Sequence, residues 1–236
     1  MKKRKNTALG KRNHFHLWSI PRKYFPRNTK ATEYLEALNV NVEDIQFTNR
    51  EVQYGASVAS FCIASINKKL TFQVDSDEVF RKVKEFVYHY ENYCQRIFIH
   101  REKLIRFINA IMPIGYDDSD VRIKHILINP TIKISGIKSR LEEFSDKKLL
   151  FYKIVHDRNQ MTHELYFPAM GVNRVLQPLH KAFKDEKDFK TWCKKWKEQV
   201  TKRARDADLC TARLSSIDNE IATKIVEYKE SLIRVK

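Results

Sequence analysis

A short stretch in the second half of the chain combines residue types that can cut a phosphodiester. Within Asp157–Glu164 stand Arg158, Asn159 and His163. Arginine is a permanent cation whose planar guanidinium group can bind a phosphate through two hydrogen bonds. Histidine is the side chain whose unperturbed pKa lets it exchange protons near neutral pH. The stretch therefore predicts a site for acid–base chemistry on a phosphate.

Cleavage of RNA by its own 2′-hydroxyl needs few protein groups. The 2′-hydroxyl loses a proton, the 5′-oxygen gains one, and negative charge gathers on the non-bridging oxygens in the transition state. His163 can act as general base or acid, a contribution of about 10²–10⁴-fold in rate. Arg158 can stabilise the charge, and Asn159 can orient the phosphate or the imidazole. These roles need no metal and no cofactor, and the sequence has no His, Cys or carboxylate cluster with the spacing of metal ligands.

Helices must position these residues, because the composition favours an all-α fold. The chain of 236 residues contains only 5 Gly and 6 Pro, too few for the turns of a sandwich or barrel. Apolar residues recur at a helical period between about residues 75 and 112, which predicts a long spine helix for a helical bundle. A second helix, which Ser145 and Asp146 can cap and which carries Leu149 and Leu150, leads into Arg158. Further helices are predicted over about residues 137–144, 172–183, 188–200 and 202–235.

The sequence divides into two predicted segments. Residues 1–47 form a basic arm with a short helix at Thr32–Leu38. The four residues Thr48–Glu51 match the capping box that begins a helix, so residues 48–236 are predicted to form a helical domain with basic C-terminal helices. By periodicity alone, Val58–Ile66 can also be a strand.

The net charge of +16 indicates a polyanionic partner, and RNA is the partner we predict. A membrane is disfavoured, because no stretch pairs a basic face with a strongly apolar one and no apolar run approaches the length that spans a bilayer. Solubility alone is the alternative explanation for the charge. The candidate RNA-binding residues lie in the arm and near the C-terminus. They are Lys2, Lys3, Arg4, Lys5, Lys190, Lys194, Lys195 and Lys197.

The cysteines indicate a cytoplasmic protein. Cys62, Cys94, Cys193 and Cys210 are widely separated and include no C-x-x-C pair. This spacing predicts reduced, mostly buried thiols rather than a disulfide framework or a zinc site. The basic N-terminus also lacks the apolar segment of a signal peptide.

The spacing of Arg158, Asn159 and His163 resembles the Arg-x4–6-His motif of the HEPN superfamily (higher eukaryotes and prokaryotes nucleotide-binding domain). The long helix before the motif is similar too, and the resemblance covers roughly residues 48–236. It implies an α-helical bundle that forms a homodimer, in which two Arg/His pairs share one cleft. It further implies a metal-independent ribonuclease of a toxin–antitoxin or antiviral defence system. Arg158 and His163 are then catalytic, Asn159 assists them, and an antitoxin or another defence protein is the expected partner.

The chain departs from one part of the family pattern. Some HEPN toxins carry a tyrosine two residues after the histidine, and a partner antitoxin nucleotidylates it. Here Leu165 stands at that position and Tyr166 follows it. The alternative function is a non-catalytic HEPN-like module for RNA binding or assembly. In that case His163 is a structural histidine and Arg158 caps helix carbonyls or pairs with a neighbouring carboxylate.

Other polar and aromatic residues have less specific interpretations. His89, Arg96 and Arg101 on the long helix can line the cleft, although one sequence does not tell which way they face. Trp192 and Trp196 stand one helical turn apart, and we predict that they pack in the core or in a dimer interface rather than stack on bases.

Overall fold

Three long α-helices and several shorter elements make up the part of the chain that the computed structural model describes, which comprises residues 16–27, 30–69, 72–112, 114–163, 166–167, 172–173 and 186–234. Two short 3₁₀ helices at His16–Ser19 and Arg22–Tyr24 come first. The α-helices are α1 (Ala31–Lys69), α2 (Phe72–Ile111), α3 (Ile123–Ile128), α4 (Pro130–Ser135), α5 (Lys138–Glu142), α6 (Leu150–His163) and α7 (Glu186–Arg234), with the strands β1 (Tyr166–Phe167) and β2 (Val172–Asn173) between α6 and α7.

The predicted all-α fold with a long spine helix is confirmed. Helix α2 has 40 residues, so it is about 60 Å long at a rise of roughly 1.5 Å per residue. One side of α2 is fully buried along most of this length. Its buried residues include Val83, Phe86, Tyr90, Ile97, Leu104 and Ile108. Their spacing is the helical period that the sequence shows, which is why this element could be predicted.

Helices α1 and α2 form an antiparallel hairpin. Near one end of the pair, Asn41 Nδ2 donates a hydrogen bond to the carbonyl oxygen of Arg96 at 3.1 Å. Near the other end, Gly55 lies so close to α2 that a Cβ atom at this position would be 3.4 Å from Phe86 Cα. The absence of a side chain at Gly55 therefore lets the two backbones approach closely.

Helix α7 packs along this hairpin and runs parallel to α2. Tyr93 of α2 donates a hydrogen bond to the carbonyl oxygen of Ala207 at 2.8 Å. About two turns further along α2 and three turns further along α7, His100 Nε2 lies 3.1 Å from Asp218 Oδ2, and both of these side chains are completely buried. The three long helices thus enclose one continuous core, against whose α2 side the motif helix α6 also packs.

Residues 32–38 are helical as predicted, but the helix does not end there, because α1 runs unbroken from Ala31 to Lys69. The capping box at Thr48–Glu51 and the strand alternative for Val58–Ile66 are therefore wrong. Thr48 lies inside the helix and its hydroxyl donates to the carbonyl oxygen of Asp44 at 2.8 Å. The physical reason is burial. The core positions of α1 keep a helical period across the predicted break and pack on α2 and α7, which outweighs a local capping signal. These positions include Leu35, Leu38, Val42, Ile45, Val52, Ala56 and Ala59.

The predicted division of the chain after residue 47 falls inside α1. The front of the basic arm, residues 1–15, lies outside the described residues. The separate arm therefore stays a prediction for that part of the chain.

The C-terminal part also differs from the prediction. One helix, α7, replaces the two predicted over 188–200 and 202–235. The predicted helix over 172–183 is wrong at its start, because Val172 and Asn173 pair with Tyr166 and Phe167 in a short antiparallel ladder. Residues 174–183 lie outside the described residues.

Buried side chains confirm two smaller predictions. Cys94, Cys193 and Cys210 are buried free thiols and Cys62 is half-buried. Burial raises the pKa of Cys193 and Cys210 to about 12. Trp196 is 2% exposed and the half-buried Trp192 packs beside it, so both tryptophans belong to the core.

None of the helices within the described ranges is both long enough and apolar enough to cross a membrane.

Candidate active site

The guanidinium group of Arg158 is held in place by the spine helix. Helix α6 sets Arg158 over α2, where its Cζ atom lies 4.1 Å from the centre of the Phe98 ring. At that distance the cation is attracted by the face of the ring. Its Nε atom donates a hydrogen bond of 2.8 Å to Gln95 Oε1. Gln95 and Phe98 are three residues apart and therefore occupy one side of α2, where together they fix the plane of the guanidinium group.

Arg158 keeps donors for a ligand. Its Nη1 atom donates to Asn159 Oδ1 at 3.0 Å, while Nη2 finds no acceptor among the described residues. Arg158 is half-buried and Asn159 is exposed. A charged group that is fixed in position, partly exposed and not ion-paired to any described residue can bind a phosphate oxygen without first breaking such a pair.

His163 is the last residue of α6. Its side chain, like those of Gln160 to Thr162, lies outside the part that the structure describes. On the helix backbone, position 163 follows Asn159 by one turn and Arg158 by five residues, about 7.5 Å along the axis. The structure thus brings Arg158 and Asn159 together, and the catalytic role of His163 stays a prediction.

A buried ion pair directly beneath the motif fixes the rotation of α6. Asp157 points inward, where its Oδ2 atom lies 2.8 Å from Arg203 Nη1 of α7 and accepts a 3.0 Å hydrogen bond from the Tyr90 hydroxyl of α2. Burial raises the pKa of the Asp157 carboxyl, and the opposing effects of Arg203 and Tyr90 do not cancel this. Asp157 is bound to both α2 and α7, which fixes the rotation of α6 about its axis. Arg158, the next residue, is therefore placed on the solvent side of the helix.

The residues that hold Arg158 and Asp157 were not predicted from the sequence. In the sequence Phe98 is one of the apolar residues of the predicted spine helix, and neither the type nor the position of Gln95 indicates a role. Tyr90 and Arg203 are likewise an ordinary aromatic and an ordinary basic residue in the sequence. A partial signal exists for Arg203, because it is spaced as a buried position of α7, one turn after Val200.

Of the three residues on α2 that were candidates for the cleft, one lies at the site. Arg101 Cζ is 5.0 Å from the centre of the same Phe98 ring that Arg158 covers. Arg96 instead pairs with Asp44 of α1 at 2.9 Å. His89 also faces α1, where its Nδ1 atom lies 3.9 Å from a carboxylate oxygen. The side of α2 that packs on α1 is therefore separate from the side that holds Arg158.

A basic face of α7 continues from the motif. The candidate RNA-binding residues Lys190, Lys194, Lys195 and Lys197 are all exposed. Lys197 stands six residues before Arg203, about 9 Å along the helix axis from the residue that contacts Asp157. Lys197 also borders a shallow groove of about 570 Å³ that continues along α7 to Arg205. The other candidates, Lys2, Lys3, Arg4 and Lys5, lie outside the described residues.

Comparison with known proteins identifies the family. Searches of curated proteins and of solved structures gave no match. A family model described as Cthe2314-like HEPN matches residues 35–224. This match covers most of α1, all of α2 to α6 and most of α7, and so includes the motif, the spine helix and the basic face. The chain belongs to the Cthe2314-like HEPN family.

Proposed function

We propose that this protein is a metal-independent endoribonuclease. Arg158 binds the scissile phosphate and stabilises the charge of its transition state, His163 transfers the proton, and Asn159 assists by orienting the phosphate. The observation that carries the proposal is the geometry of Arg158, whose guanidinium group is held by Gln95 and Phe98 and whose Nη2 atom has no acceptor among the described residues. Electrostatic stabilisation requires this kind of preorganised donor.

The proposed reaction predicts defined chemical groups at the ends of the two product fragments. Attack by the 2′-hydroxyl leaves one fragment with a 2′,3′-cyclic phosphate and the other with a 5′-hydroxyl. The test incubates labelled RNA with the full chain in excess EDTA and identifies both ends. Cleavage in EDTA with these ends supports the proposal. Cleavage that needs an added divalent metal, or that yields a 5′-phosphate, contradicts it.

A non-catalytic RNA-binding or assembly module is the second candidate, and the basic face of α7 favours it. Binding through Lys190, Lys194, Lys195 and Lys197 requires only exposed cations and no acid–base pair. RNA that is retained on a filter but not cut by the wild-type chain supports this alternative and removes the enzyme proposal.

The positioning of Arg158 leads to a prediction about α2. Replacing Gln95 by alanine removes the acceptor of the Nε hydrogen bond, so the guanidinium group can swing out of its plane. A hydrogen bond to a charged group contributes about 1.5–3 kcal/mol, so single-turnover cleavage is expected to slow by roughly 10- to 100-fold. Gln95→Glu keeps an acceptor and is expected to retain most of the rate.

The matched control is Gln46→Ala, which changes a half-buried glutamine of α1. It is expected to cleave at the wild-type rate. Equal rates for Gln95→Ala and the wild type, with both proteins folded, would show that Gln95 does not position Arg158.

RNA binding by α7 gives a prediction that is independent of cleavage. Counterions are released when lysines neutralise phosphates, with a slope of about 0.7 per contact on single-stranded RNA when log affinity is plotted against log salt. Replacing the four exposed lysines of α7 by alanine is expected to weaken binding and to flatten this slope by up to about 3, as measured by filter binding. The four are Lys190, Lys194, Lys195 and Lys197.

The control removes the same charge elsewhere on the surface. It replaces four other exposed lysines, Lys124, Lys147, Lys148 and Lys153. These stand in α3, before α6 and in its first turn. If both quadruple variants lose the same slope, the basic face of α7 has no special role and the net charge alone explains binding.

The proposal includes a homodimer, a defence or toxin role and a cytoplasmic location. A homodimer places two Arg158/His163 pairs in one cleft, and a strict monomer by light scattering contradicts the shared cleft. A neighbouring gene for a small antitoxin or another defence protein supports the biological role. The position of Tyr166, three residues after His163, argues against an antitoxin that nucleotidylates the residue two after the histidine.

A further inference from the structure

The outer face of α1 carries a row of large apolar side chains that are exposed to solvent. We call it the α1 stripe. Its members are seven residues apart, close to two helical turns, so they lie on one side of the helix. The 21 residue steps from Val40 to Phe61 extend about 32 Å along the helix axis. The members and their exposed fractions are Val40 61%, Phe47 61%, Tyr54 62% and Phe61 73%.

The α1 stripe faces away from the core. The buried side of α1 is formed by residues such as Ile45, Val52 and Ala56, which point toward α2 and α7. Single exposed apolar residues are common on protein surfaces. A regular row of four large apolar side chains on one side of a helix is different, because exposed apolar side chains that share one face favour association.

We propose that the α1 stripe is an interface between two copies of this chain, packed antiparallel about a two-fold axis between Arg50 and Glu51. In this arrangement the residue numbers of facing positions sum to 101. Val40 then faces the partner's Phe61, and Phe47 faces the partner's Tyr54. All four apolar side chains of each copy are covered by apolar side chains of the other, as a two-fold interface requires.

Charge complementarity selects the antiparallel arrangement and a second copy as the occupant. Arg50, an exposed residue, faces Glu51 of the partner subunit, and the two-fold axis makes this ion pair twice. Glu51 is half-buried at the edge of the stripe, where its Oε2 atom also lies 3.9 Å from His89 Nδ1 of its own α2. A parallel arrangement in register would place Arg50 against the partner's Arg50 and Glu51 against the partner's Glu51. Like charges at facing positions oppose association, so the stripe is self-complementary in one direction only.

This interface is distinct from the shared cleft of the proposed enzyme. Helix α1 packs on the side of α2 that carries Phe86 and Arg96, whereas Arg158 packs on the side that carries Gln95 and Phe98. Pairing through the α1 stripe therefore leaves the two Arg158 side chains apart. A chain with two different two-fold interfaces builds assemblies larger than a dimer.

The test is the mass of the full chain by light scattering over a range of concentrations. Phe47→Asp places a charge in the middle of the stripe, and the wild-type mass is expected to be twice that of this variant. Ile134→Asp is the control, because Ile134 of α4 is 78% exposed and stands outside the stripe. Its mass is expected to equal that of the wild type. Equal masses for the wild type and Phe47→Asp would overturn the proposal.

A charge swap tests the register. Arg50→Glu is expected to halve the mass, and the double variant Arg50→Glu with Glu51→Arg is expected to restore it, because the swapped charges face each other again. Failure of the swap to restore the mass of a folded protein overturns the antiparallel arrangement. RNA cleavage by Phe47→Asp is expected at the wild-type rate. The measured mass therefore tests the α1 interface independently of the proposed catalytic function.

Discussion

Replacing Arg158 or His163 by alanine is expected to lower the rate of RNA cleavage by at least about 100-fold while leaving the fold intact. Loss of the proton-transfer group costs about 10²–10⁴-fold in rate. Loss of a preorganised cation at the transition state costs about 10²–10³-fold, as removal of one oxyanion donor does in other enzymes. The measurement is single-turnover cleavage of a labelled RNA in EDTA, with circular dichroism as the check on folding.

Two control variants test whether the loss of cleavage is specific to Arg158 and His163. His156→Ala removes an exposed histidine of the same helix, whose ring stacks on Tyr152 with centres 6.0 Å apart, and is expected to cleave normally. Arg158→Lys keeps the charge but loses the Nε hydrogen bond and the flat group over Phe98, so it is expected to behave like alanine rather than wild type. Cleavage by His163→Ala at the wild-type rate would remove the catalytic hypothesis.

Replacing Asp157 by alanine is expected to lower the free energy of unfolding by about 3–5 kcal/mol. The change leaves the Arg203 guanidinium group buried without its carboxylate, and an uncompensated buried charge has a cost of this size. The Tyr90 hydroxyl loses its acceptor as well. The measurement is urea unfolding followed by circular dichroism. Asp120→Ala, at an exposed carboxylate, is the control and is expected to change the free energy by less than about 0.5 kcal/mol.

A double variant separates the ion pair from its burial. Asp157→Leu combined with Arg203→Met replaces both charges by apolar groups, and it is expected to recover much of the lost stability. A double variant that is no more stable than Asp157→Ala would show that the site needs the pair itself. A single variant as stable as the wild type would contradict the anchoring role assigned to Asp157.

Regular patterns made part of this fold predictable. Helix α2 could be placed within a few residues because its buried positions follow a helical period from Val79 to Ile111. The ends of α1 and α7 could not be placed in this way. At Thr48 a local capping signal competes with burial on two other helices, and only the tertiary packing decides the outcome.

The same distinction holds for the candidate site. Arg158, Asn159 and His163 could be predicted from residue type and spacing, because the chemistry requires a cation and a proton carrier close together. Gln95 and Phe98 could not, because their contact with Arg158 depends on how α6 is rotated and shifted against α2. That register is set by the buried contacts of Asp157, which the sequence alone does not reveal.

The inward turn of Asp157 and the outward turn of Arg158 have a consequence for genetic screens. Substitutions at these two adjacent codons are expected to give the same loss-of-function phenotype for unrelated reasons. Loss at position 158 leaves a normal amount of folded protein without a phosphate-binding group. Loss at position 157 exposes a destabilised chain to cellular proteases, so the protein level falls. Immunoblotting each variant beside its phenotype therefore separates a defect of the site from a defect of its support.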